Sequence, residues 1–239
     1  MTVQRETEDR DPVAADAARV RAEYARRASD EALRRYNDRV APASLRAAAD
    51  RQRRLLDVID RVAPRADARV LEVGCGQGGD LAALVQLGVN EHRVAGIDLL
   101  EADISVAQSR LPNARVSVAN AAALPFDAGS FDVVYQVVML SSVVDSRVRA
   151  QIASEMRRVL AHSGRIVSYD MTYVGDGNPH LVPIDAGELA RVFPGCPMTM
   201  ERVTLQLPVA SRVGPRVASV LERLPLLRRH LFAVIRTDT

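Results

Sequence analysis

The chain has no lysine and no tryptophan, and only two of its 239 residues are cysteine. Cys75 and Cys196 lie far apart, with no Cys-x-x-Cys or Cys/His spacing, which excludes a disulfide framework and a zinc site; no metal is expected. All 32 basic residues are arginine, and 30 acidic residues interleave with them to leave a net charge of only +2. A polyanion partner normally leaves a stronger basic footprint, so no nucleic acid is expected. Aromatics are scarce at 4%, and no aromatic-rich strand is available to stack RNA bases. No apolar run approaches the length of a membrane span, so no membrane insertion is expected. The segment Met1–Pro12 is charged and lacks the apolar stretch of a secretory signal, so the expected location is the cytoplasm.

What is present fits one large α/β domain with a small helical cap. A chain of this size buries roughly 70% of its unfolded surface and needs no staple. From Val13 to about Val40 runs an Arg/Ala/Glu-rich stretch of helix formers, and a second helix is expected from Ala43 to Val62, stopped by Pro64. The texture then changes to short apolar runs at 69–73, 93–97, 115–118, 131–135 and 165–169. Helical periods separate them at about 79–87, 101–110 and 147–160. Strands spaced by helices at this interval imply right-handed βαβ units and a mostly parallel sheet. Near the end, Asp185 and Glu188 read as a capping box for a short helix to Val192. An alternating strand (Met198–Leu207), a helix around 215–223 and an apolar strand (His230–Ile235) follow. The expectation is a Rossmann-like, seven-stranded, mostly parallel sheet with an antiparallel last strand. It divides into a tail and helical cap or lid at 1–64 and a catalytic domain at 65–239.

The densest local signal is Leu71-Glu72-Val73-Gly74-Cys75-Gly76-Gln77-Gly78-Gly79-Asp80, between an expected strand and an expected helix. Glycines there permit a sharp turn and close approach of a ligand to the backbone, and the free N–H groups at the helix start face it. In a βαβ unit this places a nucleotide-like ligand over the carboxyl ends of the strands. Gly74, Gly76 and Gly79 satisfy the G-x-G-x-x-G spacing of dinucleotide binders, and Asp98 at the end of the next strand suits a ribose-binding acid. A nicotinamide-dependent oxidoreductase is therefore one reading. Against it, Glu72 makes an alternative Glu-x-Gly-x-Gly-x-Gly pattern, and a carboxylate there would repel a pyrophosphate and favour a cationic ligand.

Four segments in order resemble the class I S-adenosylmethionine-dependent methyltransferase family. Arg69–Gly76 is similar to its first motif and Gly96-Ile97-Asp98-Leu99 to its second. Asn120–Val134 resembles its adenine-side loop and fourth strand. Glu155–Leu160 with Gly164–Val167 resembles the helix and strand that follow. The resemblance implies S-adenosylmethionine as cofactor and S-adenosylhomocysteine as product. It implies Glu72 at the methionine ammonium, Gly74 and Gly76 beneath the ligand, and Asp98 on the ribose hydroxyls. Leu99 would lie against adenine, and Asn120 with Ala121 beside it, Asn120 standing where many relatives have Asp. Gln136 would lie near the methionine part, with Tyr36 folded over the cofactor. A further similarity, in Arg35-Tyr36-Asn37, Ser141–Asp145, Ser168-Tyr169-Asp170 and Asn178-Pro179, is to a bacterial subgroup found beside sugar and glycolipid biosynthesis genes.

The expected acceptor is a small molecule, either a secondary metabolite or a sugar-containing intermediate, methylated on O or N by a monomer or homodimer. A hydroxyl acceptor wants a base, whereas an uncharged amine does not need one. His180 is the best-placed titratable group, in a turn-rich loop at about 171–183 where acceptor choice is expected to reside. Tyr169, Asp170 and Asp145 are the other catalytic candidates. Asp145 equally suits a helix cap, and Asp170 a turn. The arginine-rich stretch Arg19–Arg39 reads as a solvated helix face balanced by Glu23, Asp30, Glu31 and Asp38, or as a surface for an anionic acceptor. A methyltransferase-like subunit without turnover is the remaining alternative.

Overall fold

The apolar runs pair side by side as strands. β1 (Val70–Val73) lies between β2 (Val94–Asp98) and β4 (Phe131–Val137), with β3 (Arg115–Val118) beyond β2 and β5 (Leu160–Met171) beyond β4. β7 (Arg228–Ile235) pairs antiparallel with both β5 and β6 (Met198–Leu205), giving the order β3-β2-β1-β4-β5-β7-β6. The last strand alone is reversed, as the sequence predicts. The computed structural model describes residues 11–30, 42–175, 178–205, 224 and 227–237; the helix expected around 215–223 lies outside them.

Six helices complete the described fold: α1 (Pro12–Ser29), α2 (Pro42–Val62), α3 (Gly79–Gln86), α4 (Glu101–Arg110), α5 (Ser146–Val159) and α6 (Ala186–Val192). α1 ends well before Val40. Asp30 turns to an extended conformation, and the Arg26 carbonyl accepts from both the Asp30 N–H and the Ser29 hydroxyl. Asp185 caps α6 by accepting from the Glu188 N–H at 2.8 Å. The capping box is only half made, because the Glu188 carboxylate turns to Arg149 and Arg191 instead.

Strand side chains alternate between two cores, as a period of two requires. Leu71, Val73, Val134 and Ile166 pack under α5 and α6, whose Ile152, Met156 and Leu189 meet them. Val70, Val133, Tyr135, Val167 and Tyr169 pack on the opposite side under Leu55 and Ile59 of α2 and Leu81 and Leu84 of α3. The strand order reverses between β1 and β4, so the crevice over their carboxyl ends is the natural ligand site of such a sheet. α2 covers one side of that crevice, and α1 lies across its mouth. The Arg21 Nε of α1 reaches the Leu99 carbonyl at 3.5 Å, and Arg19 reaches the carbonyl of Ser142.

Candidate active site

The glycine turn is locked to β2 by backbone bonds. The N–H groups of Gly74 and Cys75 donate to the Ile97 carbonyl at 2.8 and 2.9 Å. Gly74 (φ +80°), Gly76 (φ +50°) and Gly78 (φ +72°) all sit in the left-handed region. A Cβ on Gly74 would lie 2.7 Å from Met139 Cγ, so the turn tolerates no side chain there. A Cβ on Gly79, by contrast, would meet nothing within 4 Å. The third glycine of a dinucleotide fingerprint serves close helix–strand packing, and Gly79 has no such duty. The backbone therefore obeys the 72-74-76-78 pattern and not the 74-76-79 one.

Glu72 and Tyr135 stand opposite each other in the β1–β4 register and face the same side, where the Tyr135 hydroxyl donates to Glu72 Oε2 at 2.9 Å. The Glu72 carboxyl is almost wholly buried. Burial, then the nearby charge of Asp80, push its pKa well above the usual carboxylate range, and Asp98 adds to the shift. Burial also raises Tyr135 and Cys75, so the Cys75 thiol is a packing group against Gly96 and not a nucleophile. Asp98 accepts from the Gly76 N–H at 2.8 Å on one oxygen and from the Leu100 N–H at 3.0 Å on the other; burial nevertheless raises its pKa. Each oxygen keeps a lone pair for a ribose hydroxyl. Three carboxylates thus converge on the turn, and a ligand carrying an ammonium and a sulfonium would relieve their mutual repulsion. The donor set fits S-adenosylmethionine.

α2 contributes a cation that the sequence reading passed over. Arg51 Nη2 lies 2.8 Å from both oxygens of Asp80, in the first turn of α3, and Gln52 Nε2 donates to the same carboxylate at 3.1 Å. The Arg51 guanidinium sits 5.1 Å above the Tyr169 ring, and its Nε is shielded with no partner among the described residues. Leu99 is half-buried in the loop after β2, Ala121 is buried, and Asn120 is half-buried. The Asn120 side-chain oxygen already accepts from the Ala122 N–H at 2.9 Å, so only its second lone pair remains for an adenine amino group.

Gln136, expected near the methionine part, lies in β4 and turns its amide to internal partners. It is fully buried, and its amide is consumed inside the protein. Nε2 donates to Ser168 Oγ at 2.7 Å and to Asp170 Oδ2 at 3.2 Å, while Oε1 accepts from the N–H groups of Met139 and Leu140. The same residue holds the turn after β4, in which Val138 adopts φ +54°, a strained value for a β-branched side chain. That turn brings Met139 against Gly74. Tyr36 lies outside the described residues.

The four catalytic candidates are not brought together; among the described residues no hydrogen bond or ion pair joins any two of them. Tyr169 and Asp170 are neighbours on β5 and therefore face opposite sides of the sheet. The Tyr169 hydroxyl meets Thr204 Oγ1 at 2.8 Å and its ring stacks on His230. Asp170 is buried on the α5 side, where Oδ2 accepts from the Ser141 N–H at 3.1 Å and Oδ1 from the Met171 N–H at 2.8 Å. Burial pushes its pKa up to about 6. Asp145 caps α5 through the Arg147 N–H at 2.8 Å and pairs with the Arg147 guanidinium. Its carboxyl is held down at about 2 by that pair, which leaves it no appetite for a proton at neutral pH. His180 lies beside α1, where its Nε2 is 3.4 Å from Glu23 Oε2. Glu23 departs from the solvated face expected of this stretch, its side chain being only 3% exposed while that of Arg26 is 53% exposed.

Residues 70–164 match the family model described as "Methyltransferase domain". Over 113 residues the chain is 37% identical to a protein of Mycobacterium tuberculosis named a probable S-adenosylmethionine-dependent methyltransferase. That alignment covers 46% of this chain and 38% of the relative. Nocamycin O-methyltransferase of Saccharothrix syringae is 34% identical over 119 residues, covering 48% of this chain and 40% of the relative. The chain spans about two fifths of the length of these curated relatives. The fold is also that of a crystal structure from Pyrococcus horikoshii, with a TM-score of 0.62, 19% identity, and 90% and 98% of the two chains covered. The matched segment is similar to methyltransferase domains and is set in a Rossmann-like sheet.

Proposed function

We propose that the protein transfers a methyl group from S-adenosylmethionine to a hydroxyl oxygen of a small molecule. The observation that carries this reading is the convergence of Glu72, Asp80 and Asp98 on a turn whose left-handed glycines follow the methyltransferase pattern. Glu72 would hold the ammonium, Arg51 the carboxylate, Asp98 the ribose hydroxyls, and Leu99, Asn120 and Ala121 the adenine. The bound cofactor supplies an activated methyl group on a sulfonium. What remains for the protein is to align an acceptor in line and to exclude water, which is worth several kcal/mol of the barrier. α1 and α2, as a cap over the domain from about residue 65 onward, perform that exclusion. The loop at about 171–183 selects the acceptor.

Oxygen as the accepting atom is favoured by the likeness to an O-methyltransferase and by a histidine held against α1 beside Glu23, which could serve as the base a hydroxyl wants. No helix among the described residues is long and apolar enough to cross a membrane, in keeping with a diffusible acceptor met in the cytoplasm.

Thermal melting with S-adenosylmethionine, S-adenosylhomocysteine and NAD(H) added separately tests the reading. A ligand at 100 times its dissociation constant stabilises by about 2.7 kcal/mol, which is roughly 5–10 °C for a domain of this size. A shift with the adenosyl ligands alone is expected. A shift with NAD(H) alone would overturn the proposal.

A further inference from the structure

α1 carries a carboxylate where an exposed helix would have no need to bury one. The Glu23 side chain is 3% exposed, and burying a charge is costly unless it is paired. Arg26 and Arg27 provide the pairing from the next turn. Oε1 accepts from Arg27 Nε at 2.7 Å and Arg26 Nη2 at 2.9 Å, and Oε2 accepts from Arg26 Nε at 2.8 Å. With Oε1 taken by two donors and Oε2 by one, the group left facing Oε2 is His180 Nε2, at 3.4 Å.

The histidine is held by its backbone as well. Arg19, one turn earlier on α1, donates to the carbonyls of both His180 and Ser142, and the His180 N–H donates to Asn178 Oδ1 at 3.0 Å. Two residues on, the Val182 N–H donates to the Ser141 carbonyl at 2.9 Å. The imidazole is thereby fixed beside the turn that follows β4, at the carboxyl end of the sheet. Its Nδ1 is shielded from solvent and has no hydrogen-bond partner among the described residues. A buried nitrogen without a partner is rare and calls for a reason.

Building on the proposed O-methyl transfer, we infer that Glu23 is a positioning residue that keeps the His180 proton on Nε2 and leaves the Nδ1 lone pair to accept the proton of the acceptor hydroxyl. As the acceptor oxygen forms its bond to the methyl carbon, the bond from that carbon to sulfur breaks and its electron pair stays on sulfur. The hydroxyl proton passes to Nδ1, and the resulting imidazolium lies against the Glu23 carboxylate. A base oriented by a carboxylate through its other ring nitrogen is a general solution to this requirement.

The test needs neither cofactor nor acceptor. Protein labelled with 15N in the imidazole ring is examined by long-range proton–nitrogen correlation at a pH where histidine is neutral, with His180 assigned by its absence in His180→Gln. The expected result is an Nε2-protonated His180 in the wild type. In Glu23→Gln the amide oxygen belongs at the Oε1 position with its two arginine donors. The NH2 group then faces Nε2 as a donor, so the tautomer is expected to invert to Nδ1-protonated. A wild-type ring protonated on Nδ1, or the same tautomer in both proteins, overturns the inference. Either failure leaves the methyltransferase reading intact, whereas a failure of S-adenosylmethionine to bind would remove the reaction without touching the pair.

Discussion

The Tyr135 hydroxyl donates 2.9 Å across adjacent strands to a Glu72 carboxyl that the fold otherwise strips of water. Among the described residues it is the one side-chain hydrogen-bond donor to a group whose charge is opposed by burial and by the neighbouring Asp80 and Asp98. This arrangement stabilises the carboxylate only partly, and a cationic ligand completes the neutralisation.

Cofactor binding should therefore release a proton from Glu72. The upward shift favours the protonated carboxyl in the ligand-free site, and an ammonium favours the ionised form. Affinity for S-adenosylmethionine is expected to climb with pH up to that raised value. Calorimetry in two buffers of different ionisation heat checks the release; identical heats in both would contradict it.

Tyr135→Phe removes the hydrogen bond that, together with the charge of Arg51, lowers the Glu72 pKa. Hydrogen bonds to charged groups contribute about 1.5–3 kcal/mol. The expected outcome is S-adenosylmethionine binding weakened by roughly ten- to a hundredfold, measured by calorimetry, with the proton released per ligand moving closer to one.

Asp170 gives a pH dependence of the whole fold. Its pKa is about 6 when folded against an ordinary 3.8, so the folded state holds the extra proton between those values. Stability should accordingly fall as pH rises from about 4 to 6, by roughly 3 kcal/mol for a shift of this size. Asp170→Asn should flatten that slope in urea melts taken across the window.

The glycine turn separates two substitutions of equal size. Gly79→Ala, at the start of α3 with open space around it, should be neutral or stabilising by up to about 1 kcal/mol. Gly74→Ala must both hold φ +80° and displace Met139, and should cost about 1–3 kcal/mol together with cofactor binding. Denaturant melts distinguish them.

The strands and most helix boundaries were legible because apolar alternation and glycine punctuation are local signals. The candidate cofactor residues on β1 and β2 stood out for the same reason. Four things were not legible. β5 begins at Leu160, five residues before its apolar run, because Leu160 pairs with Phe131 across a register shift. Glu23 and Arg51 were hidden in arginine-rich helices that look like solvated faces, and the partners that bury them, His180 and Asp80, are distant in sequence. The hint for Glu23 was present, since Arg26 and Arg27 follow it at three and four residues. Tyr169 and Asp170 were adjacent in sequence, but strand alternation sends them into different cores. Gln136, expected just after the fourth strand, lies within β4, and its amide serves the Val138 turn, which only the tertiary contacts reveal.

The central claim is that the crevice between β1 and β4 binds S-adenosylmethionine through Asp98 and Glu72. The most direct measurement is calorimetric titration of S-adenosylmethionine into the wild type and into Asp98→Ala, with folding of the variant checked by its melt. Saturable binding by the wild type, weakened beyond detection in the folded variant, is the predicted result. Undiminished binding by Asp98→Ala would contradict the account.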